Sequence, residues 1–135
     1  MSQKTLYTFG YLAGRAERII AELSALNTPL VDVRFNPDSK NWRYTQGALR
    51  SRLGARYFHI RELGNELYKE ALTGHYDEPH IKLADVDAGL ARLAEVLDAH
   101  GRAAIFCACS SKTKCHRIEV ARLAADRLGV KVVHL

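Results

Sequence analysis

The sequence predicts an α/β fold: a three-layer sandwich around a five-stranded, mainly parallel sheet, Rossmann-like or flavodoxin-like, as a single domain over 1–135. Two observations predict it. Short apolar or β-branched runs alternate with stretches whose apolar residues recur at helical spacing, a pattern that implies right-handed crossovers between parallel strands. One run, Ala103-Ala104-Ile105-Phe106-Cys107, is apolar throughout, as expected of a strand covered on both faces. The length of 135 residues is that of one ordinary domain, and 47% apolar residues suffice for its core without staples.

Leu6-Tyr7-Thr8-Phe9 reads as the first strand, stopped at Gly10. Over 15–26, Ala16, Ile19, Ile20, Leu23 and Leu26 fall on one helical face, and Asn27-Thr28-Pro29 ends the run. Leu30-Val31-Asp32-Val33-Arg34-Phe35 is the second strand, with Asp32 and Arg34 near its carboxyl end, and 36–44 is polar loop. A short helix spans 46–53, closed by Gly54 as a left-handed cap, and 56–60 is the third strand. Within 61–84 the pattern is mixed, with a short helix around 66–72 and a loop through Gly74 and Pro79. Asp85 caps a helix with Val86, Leu90, Leu93, Ala94 and Leu97 on one face and Gly101 after it. The fourth strand is 103–107. The last helix runs over 115–128 with Ile118, Ala121, Ala125 and Leu128 inward, Gly129 stops it, and 130–135 is the fifth strand. The strand order expected is 3-2-1-4-5, because the long 61–102 connection can carry the chain across the sheet. Ligands of such sheets bind outside the strands' carboxyl ends where the winding reverses, between the segments that follow strands one and four.

Composition excludes several classes. Apolar content is too high for a disordered chain, glycine has no period, and no apolar run approaches a membrane span. Met1-Ser2-Gln3-Lys4 is not a signal sequence, and three cysteines crowded at 107, 109 and 115 are not a secreted disulfide framework. The expectation is a cytoplasmic protein with reduced thiols. Charge is unevenly divided: 33–61 carries seven basic groups against Asp38 alone, whereas 62–100 carries three basic and nine acidic groups. Such polarity offers a basic face to an anionic partner.

The segment from Cys107 to Arg117, CACSSKTKCHR, leaves the apolar strand and enters a helix. A helix's first turn presents N–H groups and a positive dipole end that hold anions, and Lys112, Lys114 and Arg117 add charge. A thiol at a helix start beside His116 and Arg117 has its thiolate favoured, which makes Cys115 a candidate nucleophile. Cys107 is either a second active thiol or a small buried hydrophobe. The spacing C-x-C-x5-C-H departs from the usual C-x2–4-C pairs, so no metal and no cofactor are expected. Nor does the segment fit a phosphatase-like cysteine loop, because six residues after Cys109 stands Cys115 rather than arginine. Asp32 and Arg34, two apart on one strand, face the same side and either orient a ligand or pair with each other. Tyr11, after Gly10, can offer its hydroxyl to the same crevice. His59 and His134 lie in apolar strands and read as satisfied structural histidines. Trp42-Arg43-Tyr44 mixes aromatic and basic side chains as a base-stacking loop does; with Arg50 and Arg52 it is the candidate nucleic-acid surface.

The ordered set Thr8-Phe9-Gly10-Tyr11, Leu30-Val31-Asp32-Val33-Arg34 with Pro37 and Ser39, Tyr57-Phe58-His59 with Glu62-Leu63-Gly64, and Cys107-Ala108 followed by Cys115-His116-Arg117 resembles the domain of unknown function 488 family. The resemblance runs from Leu6 to Leu135 and implies a small cytosolic bacterial or archaeal α/β domain with no settled activity. It implies a functional cluster of Gly10, Tyr11, Asp32, Arg34, Gly64, Cys107, Cys115, His116 and Arg117. Two positions depart from the family's pattern: Leu12 stands where serine is common, and Cys109 where glutamate is common.

The function expected from these residues is an enzyme that binds a phosphorylated ligand, a nucleotide or nucleic acid, with Cys115 or Cys107 as active thiol. In that reading Arg34, Arg117 and the last helix's N-terminus hold the phosphate, and Asp32 orients or deprotonates the reacting group. The alternatives are a non-catalytic nucleic-acid-binding module using the basic 33–61 segment, and a metal-binding or redox-sensing domain.

Overall fold

Runs of apolar and β-branched residues build five strands: β1 (Thr5–Gly10), β2 (Leu30–Asp32), β3 (Tyr57–His59), β4 (Arg102–Cys107) and β5 (Lys131–His134). In this computed structural model the residues described are 3–11, 14–67, 81–108 and 115–135. Among them, four α-helices accompany the strands: α1 (Ala16–Ala25), α2 (Gln46–Leu53), α3 (Val86–His100) and α4 (His116–Leu128). Every strand pairing is parallel. No helix among the described residues is long and apolar enough to cross a membrane.

The sheet order is β3-β2-β4-β1-β5. This corrects the expected order 3-2-1-4-5, in which β1 rather than β4 separates β2 from the rest. Burial explains the difference. Ala103 to Cys107 are buried without exception, whereas Thr5 and Tyr7 of β1 are only half-buried. Hydrophobic burial is greatest when the strand that is apolar on both faces takes the centre.

One face of the sheet is covered by α1 and α2, with Ile19, Ile20, Leu23, Leu49 and Leu53 packed on Phe9, Leu30, Ala104 and Phe106. The other is covered by α3 and α4, with Leu90, Leu93, Leu97, Val120 and Ala124 packed on Leu6, Val31, Ala103 and Ile105. The winding therefore reverses between β1 and β4, which are neighbours whose last residues, Gly10 and Cys107, are in register. The two strands whose carboxyl ends are expected to bound a crevice are thus still the pair at which the winding reverses.

Local chemistry accounts for the helix ends. Asp85 accepts a hydrogen bond from the Ala88 N–H at the start of α3, and Thr45 does the same from Ala48 at the start of α2. Gly54 follows α2 as expected, but at φ 56° and ψ −127° it is not a left-handed helix cap; the chain passes directly into a 3-10 turn over Gly54–Arg56. The second strand is shorter than expected, ending at Asp32, because Arg34 turns back to bond Asp32 and the Asp38 carbonyl. The inward face of α4 is also shifted, burying Arg117, Val120, Ala121 and Ala124 while Ala125 is exposed. Arg117 lies on this face, with its side chain turned inward to the Cys107 sulfur. The helix expected around 66–72 and the loop through Gly74 and Pro79 lie largely outside the described residues, as do Leu12 and Cys109.

Candidate active site

Side chains alternate across a strand, so neighbouring residues at the strand ends serve opposite faces. Asp32 shares its face with Leu30, on the α1/α2 side, and Cys107 lies with Ile105 and Val31 on the α3/α4 side. The functional cluster foreseen as one group is therefore two groups that straddle the carboxyl edge of the sheet.

The first group centres on Asp32, which is 0% exposed. Its Oδ1 accepts from the Arg34 backbone N–H at 3.1 Å and from Arg34 Nε at 2.8 Å. Its Oδ2 accepts from Arg34 Nη2 and from the Tyr57 hydroxyl, both at 2.6 Å. The remaining guanidinium nitrogen, Nη1, donates to the Asp38 carbonyl at 3.1 Å and to the Tyr11 hydroxyl at 3.4 Å. Burial opposes the charge of Arg34, but the Asp32 carboxylate outweighs it and holds the guanidinium charged, above its usual pKa. Burial together with the Asp32 charge likewise pushes the Tyr57 hydroxyl well up, so Tyr57 stays protonated and donates.

This group is braced from outside. Tyr11 stacks on Tyr44 with centroids 4.4 Å apart. Tyr44 in turn donates to Glu17 at 2.8 Å, and burial with that bond pushes its pKa up to about 12. His59 caps the Arg34 carbonyl through Nε2 at 2.8 Å. At Gly64 a Cβ would come 2.5 Å from the Phe35 backbone, so the absence of a side chain lets the 61–65 segment approach the chain leaving Arg34.

The second group is built where β4 ends and α4 begins. Cys107 closes β4, and Cys115 is the N-cap residue of α4. Both are buried, at 2% and 4% exposure, and their sulfurs are 2.7 Å apart. Arg117 is 1% exposed and donates through Nη1 to the Cys107 sulfur at 3.6 Å. Burial works against the Arg117 charge, yet the two sulfurs raise its pKa and keep the guanidinium charged. His116 places Nδ1 at 3.9 Å from the Cys115 sulfur and Nε2 at 2.6 Å from the Val33 carbonyl. A carbonyl accepts only, so Nε2 carries the proton and Nδ1 presents its lone pair to the thiol. Burial, aided by the Arg117 charge, holds the imidazole pKa below its usual value and so keeps His116 neutral near pH 7. Since Val33 stands between Asp32 and Arg34 in the chain, the His116–Val33 bond ties the two groups together.

Cys107, Cys115 and His116 each have a ligand atom within 4.8 Å of the others, a donor set of the kind zinc takes. The sulfur spacing argues against it. Two thiolates at tetrahedral angles on one zinc stand about 3.8 Å apart at Zn–S bonds of about 2.3 Å. At 2.7 Å the pair is closer to bonding with itself than to sharing an ion.

The sequence assigns no role to Tyr57 and places Tyr44 in a base-stacking loop, whereas Tyr44 is buried and stacked on Tyr11. A tyrosine at the start of β3, on the face of Asp32 and in the neighbouring strand, is a signal for Tyr57, but using it requires the strand register. Of the basic residues assigned to a nucleic-acid surface, Arg52 pairs with Glu17 at 2.9 Å. Arg50 is exposed on α2. Arg43 holds its guanidinium 5.5 Å from the Trp42 ring centroid, and Trp42 is 71% exposed.

The family model for the domain of unknown function DUF488 matches residues 15–124. The chain belongs to the DUF488 family. The matched stretch carries Asp32, Arg34, Gly64, Cys107 and Cys115 to Arg117, and begins after Gly10 and Tyr11. Comparison with curated proteins and with solved structures yields no match.

Proposed function

We propose that this DUF488 protein is an enzyme with Cys115 as its nucleophile, acting on a phosphorylated ligand, a nucleotide or nucleic acid, at the carboxyl ends of β1 and β4. The observation that carries the reading is the environment of the Cys115 sulfur: a neutral imidazole nitrogen at 3.9 Å, a second thiol at 2.7 Å, and the buried Arg117 guanidinium beside that thiol. His116 takes the thiol proton on Nδ1, and Arg117 favours the anionic sulfur pair. The first turn of α4 supplies N–H groups for the ligand's phosphate, and the backbone at Gly10 lines the opposite wall. Asp32 has all its hydrogen-bonding capacity engaged by Arg34 and Tyr57, so in this reading it positions Arg34 and Tyr11 rather than moving a proton. A cytoplasmic location fits a chemistry that needs reduced thiols.

The test is site-resolved alkylation with iodoacetamide near neutral pH, read by mass spectrometry. Cys115 should be modified first and Cys107 slowly, with inorganic phosphate or a mononucleotide slowing Cys115 by occupying the α4 N-terminus. If Cys115 is the slowest of the three cysteines and no anion changes its rate, the segment is a structural strand–helix joint and the reading fails.

A second reading is favoured by the exposed Trp42 with Arg43 stacked on it, beside exposed Arg50: a nucleic-acid surface on 33–61. Log affinity for duplex DNA should then fall with log salt by roughly 0.9 per phosphate neutralised. Replacing Arg43 and Arg50 together should lower that slope by about two units, and a slope insensitive to both removes this surface from consideration.

A further inference from the structure

We propose that Cys107 and Cys115 are an oxidative modification site, joined reversibly into an internal disulfide by hydrogen peroxide, which withdraws the Cys115 thiol from the crevice. The proposal deepens the thiol reading above, since it names how that same sulfur is switched off. Its readout is a covalent bond rather than a reactivity order, so the two readings can fail separately.

Three features of the pair carry the inference. The sulfurs lie 2.7 Å apart although they belong to different elements, the end of β4 and the N-cap of α4. Closing that gap to the roughly 2.05 Å of a disulfide asks the sulfurs to move by less than about 1 Å. The pair is also chemically unequal. Cys115 has the His116 Nδ1 lone pair within 3.9 Å, and Cys107 has the Arg117 guanidinium at 3.6 Å. A thiolate is what attacks peroxide, and an adjacent thiol is what resolves the product. Finally, exposure of 4% at Cys115 and 2% at Cys107 admits a molecule the size of peroxide more readily than a bulky disulfide.

The steps balance. The Cys115 thiol gives its proton to His116 Nδ1, and the thiolate attacks one oxygen of hydrogen peroxide. The S–O bond forms as the O–O bond breaks, leaving a sulfenic acid, and the released hydroxide takes a proton to become water. The Cys107 thiol then attacks the Cys115 sulfur, giving up its proton to the departing hydroxide. The S–S bond forms as the S–O bond breaks, and the second hydroxide leaves as water. In sum, two thiols and one peroxide give one disulfide and two waters. A small dithiol reverses the change. Such transient cysteine pairs are the form disulfides take in reducing compartments.

The experiment treats the full, reduced chain with a small excess of hydrogen peroxide, blocks remaining thiols after denaturation, and maps cross-linked peptides by mass spectrometry. The expected result is a Cys107–Cys115 cross-link with the loss of two hydrogens, an alkylation rate of native Cys115 reduced to background, and full recovery with dithiothreitol. In Cys107→Ser the same treatment should instead leave one or more oxygens on Cys115. The mapping on the unaltered chain decides the matter even if that variant does not fold. A cross-link through Cys109, no cross-link at all, or about one zinc per chain in elemental analysis of the untreated protein would each overturn the proposal. A cross-link in a chain whose Cys115 alkylates no faster than Cys109 leaves the modification site standing and removes the enzyme reading. Fast Cys115 alkylation without a cross-link does the reverse.

Discussion

Replacing Asp32 with alanine should lower the free energy of unfolding by about 3–5 kcal/mol, the cost typical of removing one partner from a buried ion pair. The size follows from what remains behind. Arg34 is 6% exposed, and two of its guanidinium nitrogens donate to Asp32, so its charge would be left buried without its counter-ion. The Tyr57 hydroxyl would lose its acceptor at the same time. Urea denaturation of Asp32→Ala measures the loss. The double variant Asp32→Ala/Arg34→Met should be less destabilised than Asp32→Ala alone, because it removes the stranded charge as well. A loss below about 1 kcal/mol in the single variant would mean that water reaches the pair and that this half of the site is not the buried clamp described above.

Gly64→Ala should destabilise by about 1–3 kcal/mol, the range for added carbons in a well-packed region. The new Cβ would lie 2.5 Å from both the Cα and the amide nitrogen of Phe35. Both are backbone atoms and cannot rotate away as a side chain would. Displacing them moves the chain immediately after Arg34, whose carbonyl is held by His59 at 2.8 Å. Thermal unfolding reports the loss, and the His59 imidazole resonance reports the shift of its carbonyl partner. An alanine variant as stable as the parent, with His59 unmoved, would show that the 61–65 segment yields freely and that Gly64 sets nothing at the site.

Much of the architecture was legible because it is carried by local chemistry. The bounds of α2 are readable from Thr45 at its start and Gly54 at its end, and those of α3 from Asp85 and Gly101. The strands around Leu6, Leu30 and Ile105 are readable from apolar runs. The order of the strands was not, because connection length says how far a chain can cross and not where it stops. Only the comparison of both faces of β1 and β4 in the packed sheet places β4 centrally.

The site divides along the same line. The sequence by itself marked Asp32, Arg34, Cys107, Cys115, His116 and Arg117 as the candidates. Asp32 and Arg34 share a face by the two-residue period of a strand, and Cys115, His116 and Arg117 open a helix after an apolar strand. Only the tertiary structure decided how they are divided. It places the Asp32 group and the Cys107 group on opposite faces of one sheet edge and joins them through His116 and the Val33 carbonyl, 83 residues apart in the chain. It turns α4 so that Arg117 points inward, and it brings together two sulfurs eight residues apart. The physical reason is that periodicity fixes which way a side chain faces relative to its own element. Which neighbour it then meets depends on strand order and register, and those are set by burying both faces of the sheet at once.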